Sequence, residues 1–416
     1  MKLDTICVQG TYKPKNGEPR VIPIIQSTTY KYDSSVEMGN LFDLKESGYF
    51  YSRLQNPTCD NVAAKIAALE GGVAGMLTGS GQAANFYAVF NIAQAGDHIV
   101  SSSAIYGGTY NLFNVTMRKL GIDFTFVSPH ATEEEIQAAI KPNTKAIFGE
   151  TISNPSLDVL DIEVFAKVAH KNGIPLIVDN TFATPINCRV FDWGVDIVTH
   201  STTKYMEGHA STIGGAIVDS GNFEWNTERY KGLAEYKKFG RLAYVAKLRN
   251  GIWRNIGCCL APFNAFMNSV GLETLGLRME RLCYNALELA KFFETQDGIE
   301  VNYPALEASP YYSLCKKLLK GKGGAILTIR AGSKERAFKL INNLKYATNT
   351  TNIGDTRTLV IHPSSTIYAH GTEEQKRNAG VFDDTIRISV GIEDIEDLKS
   401  DFKQAVDSIN VNESEE

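Results

Sequence analysis

Short apolar runs and helix-spaced apolar patterns take turns along most of the chain. Val62, Ile66, Ala67 and Leu69 recur at helical spacing. They predict a helix over 58–70, opened by Pro57 and closed by Gly71-Gly72. An apolar run from Val73 to Leu77 follows, and Thr78-Gly79-Ser80-Gly81-Gln82 then opens a second helix through Ala83, Phe86, Val89 and Ile92. Strand-like runs lie at 98–101, 124–127, 146–149, 176–178, 197–199 and 215–218, with helical segments such as 132–140 and 162–171 between them. Alternation with short connections predicts a mostly parallel sheet covered on both faces. Ligands of such sheets bind beyond the carboxyl ends of the strands. The punctuation there is polar: Tyr106-Gly107-Gly108, Glu150 to Pro155, Asp179-Asn180-Thr181, and Ser201 to Lys204. Packing alone does not require four polar strand ends.

The flanks are less regular. Residues 1–55 are broken by Pro14, Gly17, Pro19 and Pro23. They predict an extended arm that packs on something else, such as a neighbouring subunit. Its end, Tyr49 to Thr58, is dense in groups that bind anions or stack, and a plain packing contact explains it equally well. Residues 220–250 carry Trp225, Arg229, Tyr230, Lys231, Tyr236, Lys237 and Lys238 and read as a surface loop or subunit contact. A helical stretch runs from Pro262 to Phe293. Beyond it, strands at 325–329, 359–361 and 385–390 alternate with helices at 334–344 and 394–408, an α/β unit ending in a polar, frayed tail at 410–416. The expected organisation is an arm (1–55), a large domain (56–261) and a C-terminal domain (262–416).

Composition narrows the function. The chain has 416 residues, more than one ordinary core holds, so two lobes are expected. A net charge of −5 argues against a nucleic-acid partner. No apolar run of about 18 residues is present, so no membrane span is expected. The 7 cysteines are scattered without a CxxC pair and read as reduced thiols of a cytoplasmic protein. The start, Met1 to Thr5, offers no apolar core of a signal peptide. Histidine spacing supports no metal site.

The chemistry centres on His200-Ser201-Thr202-Thr203-Lys204-Tyr205, after the apolar run that ends at Thr199. An amine held in a partly desolvated pocket loses its proton more easily and attacks an aldehyde to form a Schiff base. Taken alone, the motif is also a solvated strand end. The glycine loop at 79–81 similarly fits either an anion site at a helix start or a tight connection. Together, a phosphate-binding helix start, an aspartate after one strand, a lysine after a later one and an aromatic loop suit a flat, phosphorylated, cationic heterocycle bearing an aldehyde. That group is pyridoxal 5'-phosphate.

The motifs Tyr51-Ser-Arg53-Leu-Gln-Asn-Pro-Thr58, Gly79-Ser80-Gly81, Val178-Asp179-Asn180-Thr181, His200 to Tyr205 and Arg387 to Asp394 occur in the order found in one family. Over nearly its whole length the chain resembles the Cys/Met-metabolism pyridoxal-phosphate enzymes of fold type I. Its runs Tyr106 to Phe113 and Asn352-Ile-Gly-Asp355, with the 225–249 insertion, are most similar to the O-acetylhomoserine sulfhydrylases. The resemblance implies an α/β fold, a large mostly parallel sheet domain with a smaller C-terminal α/β domain. It implies that Lys204 carries the cofactor and shuttles protons, and that Asp179 pairs with its ring nitrogen. Tyr106 would stack on the ring. Ser80, Gly81, Gln82, Ser201 and Thr203 would cradle the phosphate, which Tyr51 and Arg53 would reach from a neighbouring subunit. Tyr51 would also help activate the substrate. Arg387, Asn352 and Asn154 would hold the substrate, Asn154 also touching the cofactor. The implied assembly is a tetramer of two active dimers. The implied reaction is γ-replacement of acetate by sulfide or a thiol; γ-lyase and cystathionine γ-synthase activities are the family's alternatives. The run His362 to Tyr368 departs from the sulfhydrylases' His-Pro-Ala-Ser-Thr-Thr-His, so the resemblance speaks for the cofactor more directly than for the substrate.

Overall fold

Seven of the apolar runs pair into one sheet. A computed structural model describes residues 1–410; the 411–416 part of the predicted tail lies outside the described residues. The strands are β1 (Ala74–Thr78), β2 (His98–Ser102), β3 (Asp123–Val127), β4 (Thr144–Glu150), β5 (Leu176–Asp179), β6 (Ile197–His200) and β7 (Gly215–Asp219). Their order is β1-β7-β6-β5-β4-β2-β3. Strands β2 to β6 are parallel, and β7 runs antiparallel to both its neighbours. Every residue of β2, β5, β6 and β7 is buried, as a sheet covered on both faces requires.

Alternation along β5 and β6 sorts their side chains between two cores. Ile177 and Ile197 pack with Tyr87, Phe113 and Tyr244. Val178 and Val198 pack with Ile66, Phe165 and Met279. The first core lies under the helix Gly81–Phe90, the second under the helix Pro57–Glu70. Asn56 caps that second helix, its side chain accepting from the Thr58 and Cys59 N–H groups, and Gly71 ends it at φ +85°.

The C-terminal sheet has the order β10-β11-β12-β9-β8. Its strands are β8 (Glu300–Asn302), β9 (Ile326–Arg330), β10 (Thr348–Asn349), β11 (Leu359–Ile361) and β12 (Thr385–Ser389). It is antiparallel apart from the β10–β11 pair.

Three expectations are modified. The first 55 residues are not wholly extended: Leu3–Gln9 and Ser35–Phe42 are helical, and Cys7 is buried in the core. The helical stretch after Pro262 is two helices, Pro262–Glu273 and Leu275–Glu294, broken at Thr274. Arg278 stabilises the break by donating to the Gly271 carbonyl at 2.6 Å, which also accepts from the Thr274 N–H. The 220–250 insertion is not a surface loop throughout. Tyr230, Leu233 and Tyr244 are buried, and Trp225 stacks on Tyr244.

Candidate active site

The carboxyl ends of β4, β5 and β6 open into a cavity of about 850 Å³ that Arg387 of β12 also lines. Lys204 enters from the turn after β6. Arg278 holds that turn, donating to the carbonyls of Tyr205 (2.6 Å) and Met206 (3.3 Å). The loop before β11 packs so closely that a Cβ on Gly354, which sits at φ +76°, would stand 2.7 Å from the Tyr205 nitrogen and 2.9 Å from the Lys204 carbonyl carbon. Only glycine allows this approach. Lys204 Nζ donates to Asn352 Oδ1 at 2.7 Å. Burial, and then the positive charge of Arg387, lower the lysine to about 8.

Asp179 ends β5 and is held by three donors. Asn85 Nδ2 reaches Oδ2 at 3.1 Å; the Thr181 N–H and hydroxyl reach Oδ1 at 3.0 and 2.5 Å. The Thr181 oxygen also accepts from the Ser201 N–H at 2.8 Å, joining the β5 end to the loop after β6. Beside Asp179, in register on β4, stands Glu150. Burial and the neighbouring Asp179 push its carboxyl well above the usual carboxylate range, opposed by a 2.7 Å hydrogen bond from the Tyr106 N–H.

The next residue along each strand points the other way. Asn180 and His200 both reach Glu70, at 2.9 and 2.6 Å to Oε1. All three are fully or almost fully buried. One pair of strand ends therefore carries a cavity face, Asp179 and Thr199, and a closed face, Asn180 and His200.

On the cavity face, Ser80 caps the helix Gly81–Phe90, its hydroxyl accepting from the Ala83 N–H at 3.1 Å. A Cβ on Gly81 would stand 2.6 Å from the Ser201 Cβ, so the two loops meet at their backbones. Gln82 donates to Thr109 at 3.1 Å, and its buried Oε1 has no partner among the described residues. The Thr203 hydroxyl donates to the Gly214 carbonyl at 3.1 Å and accepts from the Gly214 N–H at 3.0 Å, and Ser201 lines the cavity beside it. The Tyr106 ring lies against Gly108, where a Cβ would come within 2.5 Å of it.

Arg387 is 3% exposed. It donates to Asn154 Oδ1 (3.2 Å) and to the carbonyls of Thr351 (3.0 Å) and Asn352 (3.2 Å). Its Nε has no partner and no ion pair involves it among the described residues. Burial lowers it to about 10. A buried guanidinium without a counter-ion is costly, and a bound carboxylate offsets that cost.

A family model described as Cys/Met metabolism PLP-dependent enzyme matches residues 4–407. The chain belongs to this family. It is 43% identical to O-acetyl-L-homoserine sulfhydrylase 1 of Thermus thermophilus, over 98% of this chain and all of that one. It is 45% identical to homocysteine synthase of Schizosaccharomyces pombe, over 93% of this chain and 94% of the other. Among solved structures it matches a Campylobacter jejuni protein described as an O-acetylhomoserine (thiol)-lyase, with a TM-score of 0.95 and 34% identity, over 98% and 100% of the two chains. That protein was solved with a pyridoxyl-lysine monophosphate.

The donor set fits pyridoxal 5'-phosphate. The cavity offers a helix start pressed against the Ser201 loop, an acceptor carboxylate, a half-buried amine of lowered basicity and an aromatic ring. Among the residues marked from sequence, Ser80, Gly81, Gln82, Tyr106, Asn154, Asp179, Ser201, Thr203, Lys204, Asn352 and Arg387 line the one cavity. Tyr51 and Arg53 do not. Arg53 instead lies over the Tyr51 ring and bonds the Arg254 carbonyl. Sequence reading missed Asn85 as a site residue, and read Glu150, Thr181 and Tyr368 only as parts of runs. Asn85 was findable as a polar residue one helical turn after Gly81 on a face that is otherwise apolar.

Proposed function

We propose that the protein is an O-acetyl-L-homoserine sulfhydrylase. It replaces the acetate of O-acetyl-L-homoserine by sulfide or methanethiol, giving homocysteine or methionine. The observation that carries this reading is Arg387, a buried cation with no ion-pair partner among the described residues, opening on the same cavity as Lys204. An amino acid whose carboxylate meets Arg387 brings its amine to Lys204. The names of the similar proteins select the sulfhydrylase among the family's activities.

When bound, pyridoxal 5'-phosphate supplies an electron sink for proton loss at the substrate's α- and β-carbons. Lys204 holds the cofactor and, once released, moves protons between those carbons; its lowered basicity keeps a share neutral near pH 7.5–8. Asp179 would pair with the ring nitrogen, and Tyr106 would stack on the ring. Ser80, Gly81, Gln82, Ser201 and Thr203 would cradle the phosphate. Asn154 and Asn352 steady Arg387 and Lys204 before substrate arrives.

Tyr51 and Arg53 lie away from their own chain's cavity, which supports a second copy delivering them to the phosphate, with Tyr51 also aiding the substrate. The assembly is then a tetramer of two active dimers, in the cytoplasm. Lys204→Ala and Arg53→Ala are each expected to be inactive alone. Mixed and reassembled, they restore about a quarter of wild-type activity, since half the dimers pair the two variants and own one intact site. No recovery would overturn the shared site.

The function itself is tested by product analysis of the holoenzyme given O-acetyl-L-homoserine with and without sulfide. Homocysteine formed only with sulfide is expected. Keto acid and ammonia accumulating whether or not sulfide is present would replace this reading with a γ-lyase.

A further inference from the structure

Two carboxyl groups sit side by side at the floor of the cavity, and the assigned chemistry uses one. Asp179 and Glu150 are register partners on adjacent parallel strands. Both are at least nine-tenths buried. Two buried carboxyls this close do not both ionise readily, so one is anionic at the expense of the other. Hydrogen bonds decide which. Among the described residues Glu150 receives one donor, the Tyr106 N–H. Asp179 receives three, two of them from Thr181 within its own turn and one from a distant helix, Asn85 Nδ2.

Asn85 is built to deliver that bond. It is 2% exposed and every polar atom of its side chain is engaged. Nδ2 donates to Asp179 and to Thr109 Oγ1 (3.2 Å), while Oδ1 accepts from Thr199 Oγ1 at 2.5 Å. A carboxylate only accepts, so the amide nitrogen faces Asp179, and the Thr199 hydroxyl, which can donate, meets the amide oxygen. The remaining titratable groups around the two carboxyls are Lys204 after β6, Arg387 on β12, and the phenols of Tyr106 and Tyr368. The two cations lie within the same cavity, but neither forms an ion pair with Asp179 among the described residues, which leaves the choice between the carboxyls to the neutral donors.

We infer that Asn85 is a positioning residue that keeps the negative charge on Asp179 rather than on Glu150. The inference rests on the reading of Asp179 as partner of the cofactor's ring nitrogen. Asn85 touches neither reacting atoms nor substrate in this role; it acts through Asp179.

The test is a pH titration of the visible absorbance of the holoenzyme. Asn85→Leu keeps the volume and removes the donor. Charge on Asp179 then weakens, the ring nitrogen gives up its proton, and the lost positive charge lets the bond to Lys204 hold its own proton to higher pH. The expected result is an upward shift of the midpoint by about one unit or more, with pyridoxal 5'-phosphate released about tenfold more readily. Asn85→Ser, which retains a short hydroxyl, is expected to shift less, and serves if the leucine variant does not fold. Asp179→Asn separates the two ideas. A shift in Asp179→Asn with none in either Asn85 variant overturns the role of Asn85 alone. No shift in any of them overturns the reading of Asp179 as well. Glu70→Gln, which loosens the closed face of the same strands, is expected to leave the midpoint in place. If it moves the midpoint as Asn85→Leu does, the shift reports general loosening and the inference falls.

Discussion

The two faces of the β5 and β6 ends are one residue apart in sequence and opposite in character. On the cavity face, Asp179 and Thr199 meet Asn85, and the space beyond them is open to ligand. On the closed face, Asn180 and His200 meet Glu70, with Asn180 also bonded to the Cys188 carbonyl and to Thr151. Both faces are polar and buried, yet one surrounds a carboxylate with neutral donors while the other pairs an acid with a base. The contrast shows how a sheet supports a reactive edge. Alternation puts the group that must remain available on one side and the group that anchors the strand end on the other.

The largest effect that would break this division is on the closed face. Glu70→Ala removes the common partner of Asn180 and His200 and is expected to cost about 3–5 kcal/mol, the range for opening a buried pair. Denaturant unfolding of the cofactor-free protein measures it. A loss below about 1 kcal/mol would mean that the anchor lies elsewhere.

A smaller effect sharpens the cavity side. Only a neutral amine attacks an aldehyde, so capture of pyridoxal 5'-phosphate by the cofactor-free protein should speed up as pH rises through about 8. Burial is the larger cause of that lowered value and Arg387 the smaller. Arg387→Leu therefore raises the midpoint, by less than about one unit because burial persists. Stopped-flow absorbance across pH reads the change. An unmoved midpoint would show that the two cations do not sense each other.

Much of the large sheet was legible from local pattern. The run at 162–171 is the helix Ile162–Lys171, and the β2 to β7 runs differ from the observed strands by one or two residues at an end. Short apolar runs between polar turns have few alternatives when both faces are buried. The 220–250 insertion was less legible. Whether Tyr230 and Tyr244 face solvent or core depends on partners distant in sequence, the Lys145 carbonyl of β4 and the Ala88 carbonyl of the helix Gly81–Phe90.

What the sequence by itself determined is the kit: a lysine after one strand, an aspartate after another, a glycine-rich helix start, and an arginine far along the chain. Each is tied to a local element, and their order carries the family. What only the tertiary structure decided is which polar groups meet. Asn85 and Asp179 are 94 residues apart, Lys204 and Asn352 are 148, and Glu70 and His200 are 130. No local pattern encodes those distances, because each depends on strand order and on the turn that aims each side chain. The physical reason is that propensity and periodicity act over a few residues, whereas the charge state of a buried group is set by whatever folding brings within hydrogen-bond reach.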